Sequence, residues 1–219
     1  YTWNLEFSHV FKNMITTTVG YSITKDYFSQ LFLSNSDGTV IYTEGNFSRM
    51  RNASVQLIAN ASPLSWWSFN AQGTFNHKRI EGVLWEKYIA SIGQANFSIN
   101  NQFKFKKNWS TELSGFYITK SQNDIQEVLE PNGQVAVGVA KQVLKNKATI
   151  RLTLRDIFYT QNMTRFTEFK QATEYFKLKR DTRVCTIGFV YRFGKSFISG
   201  VKRSGGGARD EIERVGAGG

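Results

Sequence analysis

Residues 65–76 read Ser-Trp-Trp-Ser-Phe-Asn-Ala-Gln-Gly-Thr-Phe-Asn. One parity carries Trp67, Phe69, Ala71, Gly73 and Phe75, and the other Ser68, Asn70, Gln72, Thr74 and Asn76. Successive side chains of a strand point to opposite faces, so a period of two means a strand with two unlike faces. The polar face here consists of amides and hydroxyls, as suits the water-wetted wall of a transmembrane barrel.

The same alternation recurs over nine segments, 2–11, 14–28, 47–61, 65–79, 89–104, 109–121, 133–144, 148–158 and 182–193. Tight connections at Lys12-Asn13, Ser62-Pro63-Leu64, Lys106-Lys107-Asn108 and Lys145-Asn146-Lys147 alternate with long ones at 29–46, 80–88, 122–132 and 159–181. An antiparallel meander with all short turns at one end and all long loops at the other has this order. Outer-membrane barrels place the short turns in the periplasm. Phe11, Trp66, Trp67, Phe105, Trp109, Tyr191 and Phe193 lie near the tight turns or the last strand's end, where a membrane barrel carries an aromatic girdle. The strands exceed the roughly 5–6 residues usual in soluble sheets and meet the roughly 9–11 that a tilted membrane strand needs. The expected fold is therefore all-β, a transmembrane antiparallel meander β-barrel.

Composition agrees. A barrel strand is apolar on one face only, so a mean hydropathy of -0.36 excludes helical spans but not barrel strands. Aromatic content of 15% with two Pro suits long strands. The net charge of +11 is spread along the chain, with small clusters at strand ends and no basic helix, which argues against nucleic acid as a partner. Cys185, alone on an alternating strand, has no cysteine to pair with and reads as a small membrane-facing or packed side chain. His9 and His77 are isolated and read as structural. Tyr1 lies inside an alternating segment and nine is an odd strand number, so an upstream part of the chain is expected, with this chain the C-terminal portion of a larger barrel. Residues 1–194 form the barrel part, and 195–219, rich in Gly and charge, a flexible tail on the periplasmic side.

No constellation of nucleophile and base, or of two working carboxylates, occurs, so no enzymatic activity and no cofactor are expected. Gly194-Lys195-Ser196 resembles the end of a phosphate loop, but Phe189 stands where its first Gly belongs. Of six Asn-x-Ser/Thr sequons, Asn60 and Asn96 fall on the polar parity of strands, which favours chance over glycosylation. Asp124, Glu127 and Glu130 share a long loop without the spacing of a calcium loop. Arg151 and Arg155 share the parity of Thr149 and Thr153 and are expected to face the lumen, pairing with acidic side chains or contacting an anionic solute.

The last strand alternates Ile187, Phe189, Tyr191 and Phe193 with Thr186, Gly188, Val190 and Arg192. Lys141 to Phe158 followed by Arg183 to Lys195 resembles the C-terminus of the outer-membrane β-barrel family related to TonB-dependent receptors. That resemblance implies a 22-strand barrel with an N-terminal plug, coupling to an inner-membrane energy complex, solute uptake across the Gram-negative outer membrane, and recognition of Ile187, Phe189, Tyr191 and Phe193 by the barrel-assembly machinery. The plug, the coupling motif and the earlier strands are not in this chain, and a tail follows Phe193 where many barrels stop. A barrel acting as scaffold or adhesin through its long loops, without transport, is the alternative.

Overall fold

A computed structural model gives the fold and describes residues 1–35, 37–83, 87–122, 125–168 and 173–193. Its strands are β1 (Thr2–Phe11), β2 (Ile15–Ser34), β3 (Val40–Leu64), β4 (Trp67–Val83), β5 (Lys87–Phe105), β6 (Trp109–Ile118), β7 (Ser121–Gln122), β8 (Glu127–Leu129), β9 (Asn132–Val143), β10 (Ala148–Arg155), β11 (Met163–Glu168), β12 (Thr173–Leu178) and β13 (Val184–Tyr191). Nine of them form one antiparallel sheet in the order β1-β2-β3-β4-β5-β6-β9-β10-β13, and β12-β11-β8-β7 form a second. The large sheet is open, since β1 and β13 do not pair with each other. The tail 195–219, the Gly194-Lys195-Ser196 motif and Asp124 lie outside the described residues.

The register carries the parity of the sequence across the large sheet. One line of partners runs Ala59, Ala71, Ile99, Gly115, Val135, and the next runs Asn60, Asn70, Asn100, Ser114, Ala136. A slip of one residue in any pair would mix the two faces. The apolar face is bare: Phe97 is 53% exposed, Phe189 63% and Ile187 77%. A contiguous apolar face on this scale is foreign to a water-facing surface.

At the tight-turn end, Lys12 and Asn13 have φ of 50° and 53° under a 3.0 Å bond from the Met14 N–H to the Phe11 carbonyl. Lys145 and Asn146, with φ of 52° and 68°, repeat the arrangement. Two successive left-handed residues make the turn whose twist matches its flanking strands. The expected turn at 62–64 is instead a bulge: the β3–β4 register shifts between Ala61 and Leu64, and the chain reverses at Ser65-Trp66. Pro63 has no N–H for the ladder, and a bulge tolerates that.

The other end departs more from expectation. Residues 29–46 and 80–88 are largely strand, because β2 and β3 continue for 20 and 25 residues and β4 and β5 reach Val83 and Lys87. At about 3.3 Å per residue β3 is about 80 Å long, so the β2–β3 hairpin stands well clear of the apolar face. Gly38, with φ 83°, helps close it. At Asp26, whose φ is 52°, facing inverts: Thr24 lies on the polar face, yet beyond the inversion Tyr27, Leu31 and Phe47 pack with Ile80, Ala90 and Ile125. Gly82 is required there, since a β-carbon would stand 2.5 Å from Phe47 Cδ1. The expected loops 122–132 and 159–181 likewise contain β8, β11, β12 and the second residue of β7, nearly the whole second sheet.

Candidate solute path and loop module

The polar face of the large sheet is a wall of amides. Asn70 donates to the Asn60 side chain, and Asn100 Nδ2 donates to Glu112 Oε1 at 2.9 Å. Among the described residues, Oδ1 of Asn52, Asn100 and Asn132 and Oε1 of Gln134 are buried without a hydrogen-bond partner. Such acceptors suit contact with water or a polar solute.

Arg151 and Arg155 both lie on this face, opposite Gly188 and Val184 of β13. Arg151 Nη1 stands 3.9 Å from Glu112 Oε2. Gly138 of β9 sits between Glu112 and Thr153 and leaves the gap across which the two approach. A long, exposed pair of this kind contributes about 0–1 kcal/mol, so Arg151 keeps donors for an anion. The two charges border a hollow of about 160 Å³ lined by Gln102, Ser110, Gly138 and Ala140. Arg155 has no ion-pair partner among the described residues.

The second sheet forms a module at the end opposite the tight turns. Gln126 stitches it to the large sheet: its Oε1 accepts from the Phe32 N–H at 2.7 Å, and its Nε2 donates to the Phe32 carbonyl at 2.9 Å and the Glu168 carbonyl at 2.8 Å. One side-chain amide thus imitates a neighbouring peptide along the β2 edge, while Ile125 enters the core beside Phe47. Glu127 receives Arg165 Nη1 at 2.7 Å and Glu130 receives Lys120 at 3.1 Å, so these two carboxylates of the loop are engaged by cations. Arg165 also stacks on Phe176, and Lys179 and Arg183 lie 5.1 and 5.2 Å from the Tyr159 ring centre.

Asp156, just past β10, is fully buried with φ 50°. Burial alone would raise its pKa. The Thr182 hydroxyl, the Thr160 and Gln161 amides and the Thr160 hydroxyl donate to it and hold the carboxyl below its ordinary value. Asp156, Gln126 and Glu112 were not legible in the sequence as site residues, since their partners are brought in by register and by loop folding.

Other candidates fall as follows. Ile187 and Phe189 lie on the apolar face opposite Leu152 and Ile150, and the Tyr191 and Phe193 rings meet edge to face at 4.6 Å. Cys185 is exposed opposite Leu154, His9 pairs with Thr17, and His77 Nε2 is 3.1 Å from Ser91 Oγ. Asn60 and Asn96 are on the polar face, opposite Asn70 and Thr74. At the tight-turn end, Trp67 stacks on Phe103 with centroids 6.4 Å apart, and Lys141 Nζ sits 4.7 Å above the Trp109 ring.

The family model of the outer membrane protein β-barrel family matches residues 1–191. The chain belongs to that family. No curated protein and no solved structure matches it. For an outer membrane protein β-barrel the bare apolar face is the hydrocarbon face and the amide wall borders the interior. On β4 the apolar face runs from Trp67 to His77 before Arg79 and Glu81 follow. Ten steps of about 3.3 Å, tilted by about 40°, rise about 25 Å, the height of the apolar band of such barrels.

Proposed function

We propose that this chain is the C-terminal part of a larger outer-membrane barrel, related to TonB-dependent receptors, that takes up a solute from outside the cell. The reading rests on one observation: a sheet with an apolar face has two edge strands, β1 and β13, each paired on one side only among the described residues. Main-chain groups left bare in hydrocarbon cost several kcal/mol each, so further strands close the wall. A wall of more strands encloses a wide, amide-lined interior, which suits a large polar solute. In this reading the tight turns and the C-terminus are periplasmic, the second sheet lies outside the cell, and Arg151 and Arg155 meet the solute. Ile187, Phe189, Tyr191 and Phe193 engage the assembly machinery, and a plug upstream couples to the inner-membrane complex. No catalysis and no cofactor are invoked.

The test is made on the full-length protein in outer membranes. Heat-modifiable mobility and detergent-dependent folding are expected, together with solute accumulation that stops when the energy-coupling complex is deleted. A full-length protein that is folded and soluble without detergent would falsify the barrel reading.

A second reading, a scaffold or adhesin, is favoured by the folding of the loops themselves, which build their own sheet and core. A full-length sequence with no plug and no coupling peptide, whose partner binding is lost on removal of residues 163–178, would select it.

A further inference from the structure

We propose that Lys25, Arg49, Arg51 and Arg79 form a binding site for the phosphates of a phosphorylated glycolipid in the outer leaflet, on the hydrocarbon-facing side of the barrel. The inference rests on the orientation given under Proposed function. Period two and a β3–β4 register that is continuous from Ala61 to Arg49 carry the apolar face upward from Val55 and Ala53 to Arg51 and Arg49, and from Phe75 and His77 to Arg79. Arg51 is partnered by Ile23 and Arg79, and Arg49 by Lys25 and Glu81, so the cations occupy two adjoining lines, about 7 Å apart, at the upper rim of the apolar band.

Among the described residues, Glu81 offsets one of the four charges: it pairs with Arg79 at 2.8 Å and also lies in the field of Arg51 and Arg49. Lys25, Arg49 and Arg51 have no ion-pair partner among the described residues. The excess of three positive charges that remains is costly on the hydrocarbon side unless something anionic lies against it. Guanidinium forks match phosphate oxygens in pairs, and two lines of cations suit a headgroup bearing two phosphates better than a single phosphodiester. Its acyl chains then lie on the band below, over Val55 and Phe75. The opposite rim differs, because Lys12, Lys106, Lys107, Lys145 and Lys147 there lie in turns and Lys141 of β9 sits over the Trp109 ring.

The experiment is native mass spectrometry of the detergent-purified full-length protein after exposure to diphosphorylated lipid A, its dephosphorylated form, or phosphatidylglycerol. Diphosphorylated lipid A is expected to be retained preferentially, and the joint variant Arg49→Gln, Arg51→Gln, Arg79→Gln to retain about tenfold less, with the corresponding Lys variant between the two. Heat-modifiable mobility of each variant reports that the barrel is intact. Equal retention by an intact variant, or of the dephosphorylated form, overturns the site while leaving the barrel reading standing. Labelling of Lys12 and Lys145, in place of the β2–β3 hairpin, from outside intact cells overturns the orientation and the site with it.

Discussion

Below the line of Arg51 and Arg79 the large sheet has a bare apolar face and a wet amide face, whereas above it the same four strands, β2 to β5, cover an internal core with Phe47 and Ile125 at its centre. The lower region finds its apolar partner in lipid, and the upper finds it in its own loops. Asp26 marks the change, since a single left-handed residue swaps the facing of β2 where the solvent for apolar groups changes. An alternating pattern therefore states that two faces differ, but what lies against each face is decided by what the rest of the chain supplies.

The comparison is broken most directly at Phe47. Phe47→Ala removes a fully buried ring from the upper core and should destabilise that region by about 3–5 kcal/mol. Limited proteolysis should then cut within the β2–β3 hairpin while heat-modifiable mobility of the barrel persists. Loss of both together would mean that the two regions fold as one unit.

Next in size is Phe97→Arg. Phe97 pairs with Gly73 near mid-height of the apolar band, and Arg there should cost about 2–4 kcal/mol in lipid, falling to about 0–1 kcal/mol at rim positions. Phe28→Arg is the sharper half of the experiment: Phe28 is 64% exposed in the upper hairpin, and its replacement should change stability negligibly. Equilibrium unfolding in bilayers by urea measures both. Equal effects would erase the distinction between the regions.

Most of the lower region was legible in the sequence because its two faces differ at every step: Ala71, Gly73 and Phe75 against Gln72, Thr74 and Asn76 define strand and facing without a neighbour. Within the upper region, residues 29–46 read as loop because Leu31, Phe32 and Leu33 place apolar groups on both parities. The cause is double coverage, with Leu31 in the core and Phe32 against Tyr42 at 5.1 Å on the other side. Arg151 and Arg155 could be assigned a face from parity alone, but the nearness of Arg151 to Glu112 depends on the register of three strands and on Gly138 between them. Gln126 carries no local signal at all, since its partners lie 94 and 42 positions away.

Gln126→Ala tests that join. The side chain is buried and holds the Phe32 N–H and carbonyl, so its loss should cost about 1–3 kcal/mol. Amide exchange at Phe32 should accelerate while exchange at Val55 and Phe75 in the lower sheet stays unchanged. Unchanged exchange at Phe32 would show that Ile125 packing alone seats the module.

The smallest effect at neutral pH, and the one most confined to a single region, belongs to Asp156. Its folded pKa lies below the ordinary 3.8 because four donors favour the carboxylate over the opposing effect of burial. A group depressed on folding contributes stability that is fully present above its unfolded pKa and is lost as pH falls through the folded value. The segment 156–162 should therefore hold the same order from pH 8 to about 5 and loosen only below about 4, and more slowly in acid than an unshifted carboxyl would allow. Asp156→Asn keeps one acceptor oxygen but points an amide donor at the Thr182 hydroxyl or the Gln161 N–H, so it should loosen the segment at every pH and remove the acid step. Exchange of the Thr160 and Gln161 amides across this range separates the two. An acid step that survives in Asp156→Asn would show that the loosening does not come from protonation at the end of β10.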